Sequence, residues 1–142
     1  MVYEHKQVGY LIIWITLGLV VLFGFLFYNV SYNLLFVLYL LFLLIILSSF
    51  FTLTIRVDNE QIFIKFGYGL FRKRFPIKEV ASARCVKNRW YYGWGIRFWF
   101  NMWIYNVSGF DAVEIRLKNR KIYRIGTDEP IKLQRAINSF LV

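Results

Sequence analysis

A long uncharged run near the amino terminus constrains this chain more than any other feature. No charged residue occurs between Lys6 and Arg56, and one short polar stretch, Asn29-Val30-Ser31-Tyr32-Asn33, interrupts the run near its middle. Either side of it, Val8–Phe27 and Leu34–Leu53 are apolar. At a rise of about 1.5 Å per residue, stretches of about 20 residues cross the hydrocarbon core of a bilayer, which is about 30 Å thick. The pattern predicts a transmembrane helical hairpin.

Two other interpretations fit this run less well. Buried core helices rarely reach about 18 uncharged apolar residues, and two of them would need a larger domain than the 87 residues that follow the run. A cleaved signal peptide has a shorter apolar region and a small-residue cleavage site, which the first stretch lacks. We therefore expect a membrane hairpin over residues 1–53, with spans at about 8–27 and 34–53, and a separate domain over residues 54–142.

The distribution of basic residues predicts the orientation of the hairpin. The polar stretch between the spans has no Lys or Arg, whereas the chain from Arg56 onwards has 17 Lys and Arg against 7 Asp and Glu. The positive-inside rule then places both termini in the cytoplasm and the linking stretch outside. The expected location is the cell (inner or cytoplasmic) membrane, crossed twice.

The charge of the second domain suggests its partners. Almost all of the net charge of +10 lies there, and a well-placed basic residue near an anionic leaflet contributes about 1 kcal/mol of attraction. Membrane lipids are therefore the expected partners. Nucleic acid is the other common partner of basic domains, but no helix-turn-helix, zinc-finger or RNA-binding motif is present, so none is expected. The single Cys85 is consistent with a reducing cytosol.

The apolar pattern changes from helical to alternating at Thr52. Six or seven short alternating runs, separated by turn residues, predict strands, with Asn101 a candidate break in the fifth, Ile96–Tyr105. After Gly126-Thr127-Asp128-Glu129-Pro130, which suits a helix start, apolar residues fall on one helix face. The expected fold class is a membrane α-helical hairpin plus an α+β domain: a bent antiparallel sheet or partly open barrel of about seven strands, closed by a carboxy-terminal helix from about Glu129 to Leu141.

Three stretches carry a resemblance to a known family. They are the opening hairpin with its basic third strand, from Val57-Asp58-Asn59-Glu60 to Phe71-Arg72-Lys73-Arg74-Phe75-Pro76; then Tyr92-Gly93-Trp94-Gly95-Ile96-Arg97; and finally Tyr105–Gly109, Asp111–Glu114 and Arg124–Pro130. In these the chain resembles the bacterial pleckstrin-homology-like (PH-like) family. These are small membrane-associated domains in which a bent antiparallel sheet is closed by a helix, and an amino-terminal transmembrane pair is similar to the family architecture. The resemblance implies a fold for residues 52–142 and says little about activity.

Lys65, Arg72, Lys73 and Arg74 are the first candidate site, here called the basic hairpin. They flank Gly67-Tyr68-Gly69, so a hairpin turn would bring them together. The spacing is similar to the basic motif with which eukaryotic pleckstrin domains bind inositol phosphates, although here it joins the second and third predicted strands rather than the first two. Contact with anionic lipid is expected, at a specific headgroup site or over a general surface. The alternative is the solvated face of a strand.

The aromatic segment, residues 89–105, is the second candidate site. Nine of the sixteen residues from Trp90 to Tyr105 are aromatic, and Trp and Tyr favour the headgroup zone of a membrane. Core packing is the alternative, since alternation would place Phe98 and Phe100 on one strand face and Arg97 and Trp99 on the other. The residues expected to contact the membrane or a protein partner are Arg89, Trp90, Tyr91, Tyr92, Trp94, Arg97, Trp99 and Trp103.

No catalytic or metal-binding constellation is recognisable. The chain has one histidine, His5, one cysteine and eight scattered acidic residues, of which Asp111, Glu114 and Asp128 suit turn, edge and cap positions. We expect a non-enzymatic protein, without metal or cofactor, that presents its basic domain at the cytoplasmic face. The alternative function is an accessory or scaffold subunit of a membrane complex, binding a protein partner or a second copy of itself through the aromatic surface and the hairpin. Spans without ionisable residues disfavour a channel or transporter.

Overall fold

The structure, a computed structural model, describes residues 2–29 and 33–141. It is an α+β protein with an amino-terminal helix pair and two β-sheets. In chain order the elements are β1 (Tyr3–Val8), α1 (Tyr10–Asn29), α2 (Leu34–Ser48), β2 (Thr52–Val57), β3 (Gln61–Phe66), β4 (Phe71–Pro76), β5 (Val80–Lys87), β6 (Gly95–Trp99), β7 (Met102–Asn106), β8 (Asp111–Leu117), β9 (Ile122–Gly126) and α3 (Pro130–Asn138).

The helix pair differs in its bounds from the predicted spans. α1 has 20 residues and is long and apolar enough to cross a membrane. It begins two residues later than predicted, because Val8 pairs with Thr52 in a sheet. α2 has only 15 residues and ends five residues before Leu53, because the chain from Thr52 onwards is already a strand. Of the predicted external link, residues 30–32 lie outside the described residues.

The amino-terminal tail forms a strand of the first sheet, whose order is β1-β2-β3-β4. β1 pairs antiparallel with β2 from Tyr3 opposite Val57 to Val8 opposite Thr52. The N–H of Gly9 then donates to the carbonyl of Phe51 at 2.7 Å, which extends the ladder to the helix ends. The two helices are therefore an insertion between paired strands, and residues 3–8, which the sequence placed with the hairpin, pack with the sheet domain.

The second sheet has the order β5-β8-β9-β7-β6 and contains one parallel pair, β7 with β9. The expectation of a purely antiparallel sheet is wrong here, because β9 returns from β8 into the gap between β8 and β7 and so runs in the direction of β7. The predicted fifth strand divides at Phe100-Asn101, where φ is 46° and 60°, as in a type I′ hairpin turn. Among the described residues there are nine strands in two sheets and no closed barrel.

The core lies between the two sheets and under α3. The third helix packs on β5 and β8, where Leu133 and Ile137 are fully buried and Phe140 is partly buried. Ile12, in the first turn of α1, belongs to the same core, so the base of the helix pair is attached to the sheet domain. The main core side chains of the first sheet are Leu53, Ile55, Val57, Ile62, Ile64, Phe66 and Phe75.

Candidate functional site

The basic hairpin brings three of its four residues onto one strand face. β3 and β4 pair antiparallel, with Lys65 directly opposite Arg72 and Phe63 opposite Arg74. Since alternate residues of a strand point to the same side, Lys65, Arg72 and Arg74 line the outer face of the first sheet. The guanidinium of Arg74 lies 5.2 Å from the centre of the Phe63 ring, within the range of cation–π attraction.

Lys73 is separated from these three residues. It pairs with the buried Ile64, which puts it on the face that packs against the core. β4 is the edge strand of its sheet, so the amino group still reaches solvent, 5.8 Å from the ring centres of both Phe75 and Tyr123. The sequence grouped Lys73 with its neighbours, but the pleat of the strand divides them.

The turn of the basic hairpin lies against the end of α2. The hydroxyl of Tyr68 donates to Oγ of Ser48 at 2.9 Å, and the N–H of Gly67 donates to the carbonyl of Thr52 at 2.9 Å. Gly67 has φ of +49°, and a Cβ there would lie 2.5 Å from the carbonyl oxygen of Ser49. Only glycine tolerates both this backbone conformation and this close approach. The turn is thereby fixed beside the base of the helix pair.

Apolar and aromatic side chains surround this contact. The Phe71 ring stacks on the Phe50 ring at 5.0 Å, while Tyr68 and Leu70 are largely exposed. Arg72 donates from Nε to the carbonyl of Gly69 at 2.6 Å, which holds its guanidinium at the turn. Lys65 and Arg72, with exposed apolar neighbours, thus lie next to the ends of α1 and α2 that join the sheet domain.

Part of the aromatic segment lies at the same helix base. Residues 93–97 line a crevice together with Leu11 and Ile15 of α1 and Leu47 of α2. Trp94 packs against the core and donates from Nε1 to the carbonyl of Gly109 at 3.3 Å. Arg97 donates to the carbonyl of Trp94 at 3.1 Å. Both candidate sites therefore meet the helix pair at its sheet end.

The remaining aromatic residues divide between the two faces of the β6–β7 hairpin. Tyr91 and Tyr92, in a short 3-10 turn, pack on Trp99 with ring centres 5.8 Å and 6.0 Å from it. The Phe98 and Trp103 rings meet on the opposite face at 5.0 Å. Trp90 stays largely exposed, and Arg89 donates to the Tyr91 hydroxyl at 2.6 Å.

Phe100 was assigned to the face of Phe98, and that assignment is wrong because Phe100 is a turn residue. It is 86 % exposed with a positive φ, which is rare for a bulky side chain. Neither Phe98 nor Phe100 was among the candidate contact residues. Phe100-Asn101 stands between two alternating aromatic runs, and Asn favours left-handed turn conformations. This pattern could have predicted a hairpin turn there, with Phe98 and Phe100 near its tip.

A charged cluster that the sequence did not reveal lies on the outer face of the second sheet. Glu114, expected at an edge, is central in β8 and 3 % exposed. Arg84 donates to its Oε1 from Nε at 3.1 Å and Nη2 at 2.7 Å, and Arg116 donates to the same oxygen at 3.3 Å. Arg124 donates to Oε2 at 3.1 Å. We call these four residues the arginine cluster.

The ionised form of Glu114 should stabilise the fold in a pH-dependent way. Burial alone raises the pKa of its carboxyl, but hydrogen bonds and charge from Arg84 and Arg124 outweigh burial and hold the pKa below its ordinary value. A lowered folded-state pKa contributes stability above the unfolded carboxyl value of about 4.3, and that stability is lost as the pH falls through the folded-state pKa. In urea unfolding from pH 7 to pH 3, the stability gap between the native chain and Glu114→Gln should therefore shrink as the pH falls. A constant gap would contradict this.

Among residues 2–29 and 33–141, no group of three or more His, Cys, Asp or Glu side chains could hold a metal ion. No protein-family model, curated protein or solved structure matches the chain. The PH-like assignment accordingly stays a prediction that rests on the sequence pattern.

Proposed function

We propose that this chain is a non-enzymatic integral membrane protein whose helix pair crosses the cell membrane twice. The pair holds a basic PH-like domain against the cytoplasmic face, where the domain contacts anionic lipid. One observation carries the proposal: the helices emerge between two paired strands, β1 and β2, and the turn of the basic hairpin is hydrogen-bonded to the end of α2.

The strand pairing supports a two-pass arrangement. Because β1 and β2 are hydrogen-bonded partners, the tail before α1 and the domain after α2 are on the same side of any membrane that the helices enter. Both helices expose large apolar side chains along their length, such as Trp14, Val21, Leu35 and Phe42, which suits lipid better than water. The 15 residues of α2 span about 22 Å, a mismatch that local thinning of a bilayer can accommodate.

The position of the basic pair supports contact with headgroups. One residue pair, Phe66 with Phe71, separates Lys65 and Arg72 from the turn that touches α2, so Lys65 lies two residues from Gly67, about 7 Å along a strand. The headgroup layer on each side of the hydrocarbon core is about 5–8 Å thick, so both side chains can reach it. The acidic Asp58 and Glu60 lie at the other end of β3, away from the helix base. The domain is therefore basic where it would face the membrane.

Lipid contact can be tested on a soluble version whose design follows from the strand register. A two-residue Asn-Gly turn should join Gly9 to Phe51 in place of the helix pair, since these residues are already hydrogen-bonded and Asn-Gly favours the type I′ turn. This version keeps β1, which a fragment starting near residue 54 would lose. We expect it to bind vesicles of anionic lipid and not neutral vesicles, and the binding to weaken as salt shortens the Debye length from about 10 Å at 0.1 M towards 3 Å at 1 M.

Two double variants that each remove two positive charges distinguish a specific lipid site at the basic hairpin from general electrostatic attraction to the vesicle. Arg72→Ala with Arg74→Ala should lower affinity for anionic vesicles at least several-fold while leaving the fold intact, because both side chains lie on the outer face. Lys118→Ala with Lys121→Ala, in the β8–β9 turn, removes the same charge and should change affinity much less. Equal losses in the two double variants would mean that the basic hairpin is no site.

Apolar insertion makes a separate prediction for the same vesicles. Trp90 and Phe100 are the most exposed rings of the aromatic segment, whereas Trp94 packs on the core and is a poor choice for substitution. Apolar contact is not screened by salt, so Trp90→Ala with Phe100→Ala should weaken the binding that survives 1 M salt. If neither this double variant nor the arginine double variant changes vesicle binding, the lipid proposal is wrong and a protein partner is favoured.

The orientation can be tested on the full chain in intact cells. With Cys85 replaced by Ser, a cysteine at Ser31, in the predicted external link, should react with a membrane-impermeant thiol reagent. The native Cys85 should react only after the membrane is opened. Labelling of Cys85 from outside would reverse the proposed topology.

A scaffold subunit is the second candidate function. It is favoured by the exposed tip of the β6–β7 hairpin, where Phe98 on the edge strand β6 and Phe100 in the turn present apolar rings. A photo-crosslinking residue at Phe100 in the full chain would distinguish the two functions: adducts with lipid support the first, and a discrete protein adduct supports the second.

A further inference from the structure

The arginine cluster carries more positive charge than its own carboxylate can neutralise. Arg84, Arg116 and Arg124 share the single Glu114, which leaves a local charge of about +2. A purely structural ion pair needs one cation for each carboxylate. Here two guanidinium groups, those of Arg84 and Arg116, contact the same oxygen, Oε1, and must therefore lie side by side despite their mutual repulsion.

The N–H groups of these two arginines are available on the solvent side. Their side chains are 58 % and 51 % exposed. Within the described part of the chain, Nη1 of Arg84 and both terminal nitrogens of Arg116 have no acceptor. Ser82, which is exposed, pairs with Arg116 in the sheet register and precedes Arg84 by two residues on the same strand face, so its hydroxyl points to the same side.

A buried amide on the same face also lacks a partner. Asn88 is 6 % exposed and accepts a hydrogen bond from Nη1 of Arg124 at 3.3 Å. Its own Nδ2 donor has no acceptor among the described residues, and an unpaired buried donor is costly. This side of the sheet therefore holds an excess of donors as well as an excess of positive charge.

We propose that Ser82, Arg84 and Arg116 form a binding site for the phosphate monoester group of a soluble ligand. Such a group carries a charge of about −1.5 to −2 near pH 7 and three acceptor oxygens, which match the local charge and the free donors. Guanidinium groups bind phosphate oxygens in pairs through their planar forks. Glu114 fixes both forks from below and leaves their outer edges for the ligand.

The strand order favours a soluble ligand over a lipid headgroup, a step that rests on the proposed membrane location. β6 is the strand beside the helix base, where Gly95 approaches the Phe50 ring. β8 is three strands further across the sheet, which is about 14 Å at the usual strand spacing. With the helix base at the headgroups and the sheet rising away from it, this separation exceeds the headgroup layer of about 5–8 Å, and the site then stands in the aqueous phase.

The test uses the full chain in nanodiscs of neutral phosphatidylcholine, titrated at pH 7 with phosphoserine and, separately, with inorganic phosphate. Arginine Nε–Hε NMR signals are the readout. We expect saturable shifts at Arg84 and Arg116, and at least a tenfold loss of affinity in R84Q/R116Q. The variant K118Q/K121Q, with the same loss of charge in the β8–β9 turn, should bind as the native chain does. Shifts that do not saturate, or equal losses in both double variants, would overturn the site.

Two single variants keep the proposal falsifiable where R84Q/R116Q fails to fold. R116K retains the charge but loses the planar fork, so affinity should fall several-fold. E114Q keeps an acceptor oxygen beneath both forks but removes the negative charge that competes with the ligand, so a chain that still folds should bind phosphoserine more tightly by several-fold. A cluster that serves only to hold the sheet together predicts no gain in E114Q, and that result would contradict a ligand site.

A separate arm distinguishes the soluble source from the membrane. Discs that contain phosphatidate, whose headgroup is itself a phosphate monoester, should not shift the signals of Arg84 and Arg116 in the absence of soluble phosphate. If they do, the ligand is a lipid and the assignment to a soluble group is wrong. R72A/R74A should leave phosphoserine binding unchanged, so the lipid proposal and this one can fail independently.

Discussion

Replacing Leu133 by alanine should lower the free energy of unfolding by about 2–5 kcal/mol, the range found for leucines truncated in well-packed cores. The side chain is fully buried where α3 packs on β5 and β8, and a rigid sheet on one side leaves little scope for collapse into the cavity. Urea unfolding of the soluble version described above, followed by tryptophan fluorescence, measures the change.

Ile131 supplies the matched control for this substitution. It lies two residues earlier on α3 and is largely exposed, so Ile131→Ala should change the stability by less than about 0.5 kcal/mol, as exposed surface substitutions usually do. If Leu133→Ala is as mild as Ile131→Ala, then α3 is not docked on the sheets, and the closure of the domain by its last helix would have to be given up.

Replacing Gly126 by alanine should cost about 2–4 kcal/mol. The added Cβ would overlap Oδ1 of Asn106 and lie 2.9 Å from its Cβ. The fully buried Asn106 holds the β7–β8 turn, donating to the carbonyl of Gly109 at 3.0 Å and accepting from the N–H of Ser108 at 3.2 Å. Losing one of these two hydrogen bonds as Asn106 moves aside costs about 1 kcal/mol, and overpacking adds about 1–3 kcal/mol.

A double-mutant cycle isolates this cause. Asn106→Ala removes both hydrogen bonds and also the side-chain oxygen that the methyl group added by Gly126→Ala would strike. Gly126→Ala should therefore cost much less in that background than alone. The same unfolding measurement on the four chains gives the coupling. Additive effects would show that the cost of Gly126→Ala arises in the backbone rather than at Asn106.

The sequence predicted elements well where the signal was local. α1 was predicted because a long apolar stretch without charged residues is typical of an apolar helix. The β8–β9 hairpin was predicted because alternating residues flank a polar turn. α2 was overextended because apolar composition does not distinguish the end of a helix from a buried strand, although the β-branched alternation of Thr52-Leu53-Thr54-Ile55 held the information. β1 was missed altogether: Glu4 and Lys6 face solvent on an edge strand, and its partner is more than 40 residues away.

The candidate sites show the same division between local and distant information. Three of the four residues of the basic hairpin could be predicted to meet, because residues close in sequence face each other across a short hairpin, whereas Lys73 lies on the other strand face. The arginine cluster could not, since Arg84, Glu114 and Arg124 come from three strands whose order in the sheet differs from their order in the chain. A lone glutamate among arginines gives no sign in the sequence of being buried beneath them.

During synthesis, β1 has to remain unpaired until β2 has been made. β1 leaves the ribosome before either helix, but the strand that pairs with it follows both helices: β2 begins at Thr52, 44 residues after β1 ends at Val8. At about 5–20 residues per second, the tail stays without its partner for roughly 2–9 s while the helices are made. Its alternating charges, Glu4 and Lys6, suit that interval, since charged edge strands resist pairing with other chains. The first sheet can therefore close only after both helices have been synthesised and their ends lie side by side.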